Sequence, residues 1–247
     1  MGTRSLLAYE KPKSRVYFQY MQFDGYPTIK GREYYEGILK SLQEFGSQEF
    51  YSTKGVPNDK FFRRCLDFLN NIQYMTGHSV GNHATIPTEK WLSQDSWQEW
   101  QYLFDIAGNF HIIHTGKPTT IVIPWDFTMK LATSFSRGCS EWEGKEIGSD
   151  DPEKTPLAKF WEGAEKYLRF DPQYAEKGEK EPPEPIMTIK FGESHAFPEQ
   201  KDGGWRGFGL LSVGSKVVGR SMFFDRGKRR NEGHVFTEVR KAKIGAS

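Results

Sequence analysis

Two short runs rich in β-branched and aromatic residues open the chain, Leu6-Leu7-Ala8-Tyr9 and Val16-Tyr17-Phe18-Gln19-Tyr20, with Lys11-Pro12-Lys13-Ser14 between them. They predict an N-terminal hairpin, because such side chains favour extended backbone and Pro and Ser favour the turn. After the turn signal Asp24-Gly25-Tyr26-Pro27, the residues Tyr35, Ile38, Leu39, Leu42 and Phe45 recur at helical spacing, and Gly46 is placed to end the helix. Asn58 is a cap for a second helix with Phe61, Phe62, Cys65, Leu66, Leu69 and Ile72 on one face, so two helices are expected to cover one side of a sheet.

Gly77 to Pro87 reads as loop. Trp97 to Phe104 and Phe110 to His114 flank Ala107-Gly108-Asn109 and predict a second hairpin, and Thr119 to Ile123 a further strand. Ser136 to Pro156 is rich in glycine and acid with little periodicity, and Thr155-Pro156 then starts a helix with Leu157, Phe160, Trp161, Ala164 and Leu168 on one face. Lys177 to Pro185 reads as a linker, and from Ile186 onward the pattern is short strands and glycines. These elements predict an α+β fold: an antiparallel sheet built from hairpins, two covering helices and a β-rich C-terminal segment. The expected organisation is a domain over residues 1–135, an acidic helical connector over 136–185 and a basic β-rich segment over 186–247.

Composition narrows the classes. The 247 residues suffice for one large domain or two small ones. Aromatic residues at 15% and hydrophobic residues at 36% supply apolar surface to offset the entropy of ordering. Apolar runs such as Ile121-Val122-Ile123 are far short of the ~18–20 residues of a membrane span, so no membrane partner is expected. Cys65 and Cys139 make neither a disulfide framework nor a CxxC pair, which fits a reducing compartment. The start of the chain has no apolar stretch of signal-peptide length, and Leu6 stands where a myristoylation motif requires Ser or Thr. A cytoplasmic protein is expected.

Net charge is +2, but it is unevenly divided. Residues 141–184 carry 13 acidic and 7 basic side chains, whereas residues 201–247 carry 11 basic and 4 acidic ones. Fields fall off within about 10 Å at moderate salt, so the basic end attracts anions whatever the total. Neutralisation of one segment by the other is the competing reading.

The opening Met1-Gly2-Thr3-Arg4, followed by Asp24-Gly25-Tyr26-Pro27 after the first hairpin, resembles a family of uncharacterised proteins from bacteria, phages and fungi. The second hairpin, with Asp105-Ile106 before its turn, is similar to that family's later strand pair, so the resemblance spans about the first half. Phe23 stands where the family usually has Trp or another residue, and Ile29 replaces the first glycine of its Gly-x-Gly. The resemblance implies a phage-encoded protein as one origin and carries no activity with it.

Antiparallel pairing brings the ends of the first hairpin together, so Asp24 is expected beside Thr3 and Arg4. In one reading Thr3, Arg4, Asp24 and Tyr26 form a catalytic corner of hydrolase type. In the other, Asp24 makes an Asx-turn with Gly25 and a buried ion pair with Arg4, and the corner is structural. An N-terminal nucleophile is not expected, because removal of Met1 exposes Gly2 and not Thr3. His111 and His114 lie three apart on a predicted strand and point to opposite faces, and His78 and His83 in their loop lack a third partner at ligand spacing. Neither a metal nor a cofactor is expected.

Gly209 to Lys216 approximates a phosphate-binding loop in the wrong order, with Ser215 before Lys216, and Gly214-Ser215 suits a two-residue hairpin turn instead. Arg226, Lys228, Arg229 and Arg230 lie between Met222-Phe223-Phe224 and His234-Val235-Phe236, which predicts a basic loop projecting from a strand pair. Such a tip neutralises phosphates, with Trp205, Phe208 or Phe223 as stacking partners. The leading function class is therefore a non-enzymatic binding module for nucleic acid or an acidic protein partner. The alternatives are the hydrolase-type enzyme and a scaffold or virion component burying aromatics in an oligomer.

Overall fold

The computed structural model describes residues 2–11, 13–45, 84–87, 98–135, 156–191, 195–196, 205–213, 216–225 and 236–243. The amino-terminal runs pair antiparallel as β1 (Ser5–Lys11) and β2 (Arg15–Met21). In their turn Lys13 and Ser14 have φ of 70° and 50°, the left-handed backbone that fits a tight turn to the twist of its strands. A single π turn over Pro27–Gly31 leads into helix α1 (Arg32–Phe45). β3 (Ala84–Pro87) pairs with β2, within the stretch read from the sequence as loop. The second hairpin forms as β4 (Trp100–Phe104) and β5 (Phe110–His114), with Gly108 at φ 85° in its turn, and β6 (Thr119–Ile123) adds to β5.

The fold is α+β, but its main sheet is mixed and not antiparallel throughout. β1 and β4 run parallel, Ser5 beside Trp100 and Tyr9 beside Phe104, so the two hairpins abut through their first strands. Burial explains this choice. Residues Ser5–Glu10 and all of β4 are buried on both faces, as a parallel pair at the centre of a covered sheet requires. Among the described residues the order is β12-β6-β5-β4-β1-β2-β3, where β12 is Arg240–Lys243. Pro87 at one edge strand and Arg240, Lys241 and Lys243 at the other are residues that discourage further strand addition.

One face of the sheet is covered by α1, α2 (Trp125–Phe135) and α3 (Pro156–Arg169). Their contact is an aromatic hub in which Phe110 lies 4.7 Å from Phe104, 5.1 Å from Tyr35 and 6.0 Å from Trp161, ring centre to ring centre. The buried tyrosines keep their hydroxyls satisfied, Tyr34 donating to the Ala8 carbonyl and Tyr35 sharing a hydrogen bond with Thr128. The expected second covering helix over 58–72 lies outside the described residues, and α2 had no counterpart in the sequence reading. α3, read as part of a connector, contributes fully buried Phe160, Trp161 and Ala164 to the same core. The opposite face buries Leu6, Ala8, Val16, Leu103 and Ile113, with Phe18 and Tyr20 packed on them.

Beyond α3 the chain runs exposed and without regular structure over Lys177–Glu181, until Pro185 packs against Gly163. A second sheet follows, made of β7 (Met187–Phe191), β8 (His195–Ala196), β9 (Trp205–Val213), β10 (Lys216–Asp225) and β11 (Phe236–Glu238). Its order is β10-β9-β7-β11, with β8 also on β9. Val213 pairs with Lys216, leaving two residues between the strands, the spacing of a hairpin turn and not of a phosphate loop. At Val239 the chain passes from this sheet to β12 of the first. Its amide donates to the Met187 carbonyl at 3.0 Å, and both side chains are fully buried in the main core.

Candidate functional site

The Asp24-Gly25-Tyr26-Pro27 turn lies against the amino-terminal strand, as antiparallel pairing predicts. The Gly25 amide donates to the Thr3 carbonyl at 2.9 Å, and a Cβ on Gly25 would come within 2.8 Å of both the Arg4 carbonyl carbon and Ser5 Cβ. Only glycine permits that approach. Tyr102 then donates its phenol to the Gly25 carbonyl at 2.8 Å. Burial pushes that phenol well above its ordinary pKa, with the negative charges of Glu165 and Glu99 adding to the effect, so it stays protonated as a donor.

The four residues picked from the sequence occupy distinct surroundings here. Thr3 is buried, Arg4 and Asp24 are exposed, and Tyr26 is half-buried. The Arg4 carbonyl accepts from the Glu99 and Trp100 amides, fixing the start of β4. Asp24 holds φ 56° with its carboxylate at the surface, so the buried ion pair with Arg4 does not form. An exposed carboxylate avoids the desolvation such a pair entails.

Beside this turn lies a polar cluster that the sequence reading did not single out. The Arg169 guanidinium, at the end of α3, sits over the Tyr26 ring at 5.6 Å. Its Nε is 3.5 Å from Glu99 Oε1, and its Nη1 is 3.4 Å from Glu165 Oε1. Glu165 Oε2 accepts from the Thr28 hydroxyl at 2.8 Å. His114 Nε2 stands 3.9 Å from Glu99 Oε1, beyond hydrogen-bond reach, and its ring meets Trp100 edge-on at 4.6 Å. Burial, reinforced by the positive charges of Lys117 and Arg169, lowers the His114 pKa to about 4, against a smaller opposing effect of a backbone hydrogen bond with Thr115. The imidazole is therefore neutral at pH 7. Lys117 donates to the Phe170 carbonyl at 2.7 Å and lies 3.6 Å from Asp171.

No protein-family profile, curated protein or solved structure matches this chain.

His111 faces the other way from His114, since it pairs with Leu103 while His114 pairs with Trp100. At 2.9 Å from Asp105 Oδ2, it belongs to a loop scaffold at the far end of the sheet. Asp105 also accepts from the Asn109 amide and side chain, and Asn109 Oδ1 accepts the Trp125 amide that opens α2. Every contact in that set organises the hairpin turn and the helix start. Among the described residues no three His, Cys, Asp or Glu side chains converge as metal ligands would.

Arg226, Lys228, Arg229 and Arg230 lie outside the described residues. β10 and β11, the described strands on either side of them in the sequence, stand at opposite ends of the β10-β9-β7-β11 order. β11 pairs with β7, antiparallel. For the Arg169 cluster the available signals were Glu165 and Arg169 four apart on a predicted helix and Thr28 after a helix-starting proline. Neither names the other, and neither names Glu99.

Proposed function

We propose that this protein is a non-enzymatic binding module that engages nucleic acid through its basic C-terminal segment, with Arg226, Lys228, Arg229 and Arg230 as the principal contacts. The observation that supports the reading is β12: Arg240, Lys241 and Lys243 lie on the strand at one end of the described main sheet and continue the basic run. Clustered cations neutralise phosphates and release their counterions. The kinship with the Met-Gly-Thr-Arg proteins belongs to the same proposal and rests on the two motifs at the folded corner. The hydrolase-type reading keeps Thr3, Arg4, Asp24 and Tyr26 as its candidate residues, of which Arg4 and Asp24 are exposed.

The test is the 260/280 nm absorbance ratio of purified protein before and after a salt wash, followed by anisotropy titrations with labelled single-stranded RNA and duplex DNA. Binding is expected to weaken steeply with salt and to disappear when Arg226, Lys228, Arg229 and Arg230 are all changed to Glu. Nucleic-acid-free protein that binds neither probe at low salt overturns the reading, and binding of poly-glutamate alone reassigns the surface to an acidic protein.

A further inference from the structure

The cluster at the end of α3 has the composition of a cation-recognition site. Tyr26 offers an aromatic face, and Glu99 and Glu165 offer two carboxylates from separate elements, one before β4 and one on α3. Glu165 is held independently of its cation, because Thr28 donates its hydroxyl to Oε2 at 2.8 Å and leaves Oε1 turned to the guanidinium. Nε and Nη1, two donors of one planar group, each address a different carboxylate while the plane lies within cation–π reach of the ring. A guanidinium satisfies that geometry and a compact ammonium does not.

The resident cation is loosely held. Its two contacts, at 3.5 and 3.4 Å, are longer than the ~2.7–2.9 Å of a strong charge-assisted hydrogen bond, and the Arg169 side chain is 46% exposed. The charges are also unbalanced. Two carboxylates face one guanidinium, Lys117 is engaged with Phe170 and Asp171, and the neutral His114 adds no positive charge. We propose that Tyr26, Glu99 and Glu165 form a guanidinium-binding site, filled in cis by Arg169 and able to accept an arginine side chain of a partner polypeptide in its place. This site is separate from the basic segment and stands whether or not that segment binds nucleic acid.

The experiment empties the site and refills it. Arg169→Ala protein is titrated with N-acetyl-L-arginine amide and, in parallel, with N-acetyl-L-lysine amide, following thermal unfolding and the amide resonances of Tyr26 and Thr28. Saturable binding of the arginine probe in the millimolar range is expected, about tenfold tighter than the lysine probe and about tenfold tighter than to wild type, where Arg169 competes. Adding Glu165→Gln to Arg169→Ala is expected to abolish the response. Should Arg169→Ala fail to fold, Arg169→Gln takes its place under the same criteria. A folded variant that shows no saturable response, or responds equally to both probes, overturns the proposal.

Discussion

Tyr102, from the central strand of the main sheet, donates its phenolic hydrogen to the carbonyl of Gly25 at 2.8 Å, joining residues 77 apart in the chain. The bond holds the Asp24-Gly25-Tyr26-Pro27 turn down on the sheet, and the turn in turn presents Tyr26 to Arg169. Changing Tyr102 to Phe removes the donor and leaves the Gly25 carbonyl buried. A loss of about 1–2 kcal/mol is expected, read as a lower urea midpoint with unchanged slope.

Gly25 and Gly31 tolerate no side chain. A Cβ on Gly31 would lie 2.4 Å from the Tyr102 ring, and one on Gly25 would meet the Arg4 carbonyl carbon and Ser5 Cβ at 2.8 Å. Either alanine variant is expected to cost about 2 kcal/mol or more. Gly178, at φ 97° with nothing within 4 Å, is the control. Its alanine variant carries backbone strain alone, about 1 kcal/mol. Chemical denaturation of the three variants separates crowding from strain, and equal losses would refute the distinction.

Asp24 keeps a left-handed backbone at φ 56° with an exposed side chain. Asp24→Gly is expected to raise stability by about 0.5–1 kcal/mol, and Asp24→Val to lower it, because a β-branched residue resists that conformation. A drop in melting temperature for the glycine variant would mean the carboxylate makes a contact that its exposure argues against.

His114 sets a pH dependence. Its folded pKa of about 4 lies below the ordinary 6.5, so the unfolded chain binds more protons between those values. Stability therefore rises with pH across that window, is complete above about pH 6.5 and is lost on acidification, by about 2 kcal/mol after solvent screening. Asp105 acts at lower pH. Burial raises its carboxyl, but the hydrogen bond and charge of His111 and the bonds from Asn109 outweigh this and hold it below its usual range. Its contribution is present above about pH 4 and disappears below. Unfolding free energies of wild type and His114→Gln from pH 4 to 7 test the assignment, since the variant should lose the slope.

Trp161 ties α3 to the aromatic hub, 5.9 Å from Tyr35 and 6.0 Å from Phe110. Trp161→Ala is expected to cost about 3–5 kcal/mol, with one cooperative transition for the whole main sheet. Two separate transitions in wild type would show that α3 does not share that core.

Patterns set by near neighbours were legible in the chain. The two hairpins, the strand Thr119–Ile123, and the helices α1 and α3 follow from side-chain period and from Pro and Gly signals. The packing of Asp24-Gly25 on the amino-terminal strand was legible too, because a hairpin of known turn fixes where its ends meet. α2 was missed. Its short run Trp125–Phe135 follows a strand directly, and its amide cap comes from Asn109, 16 residues earlier.

The sequence by itself determined the local elements, the split of charge and the closed turn at the amino terminus, since each follows from neighbouring residues or, for that turn, from a hairpin that brings its two ends together. Tertiary structure alone decided that β1 and β4 lie parallel, that β10 and β11 part to opposite edges, and that Tyr26, Glu99, Glu165 and Arg169 meet. Those outcomes turn on which apolar faces are buried together, and burial is a property of the whole packed chain, carried by no single stretch of it.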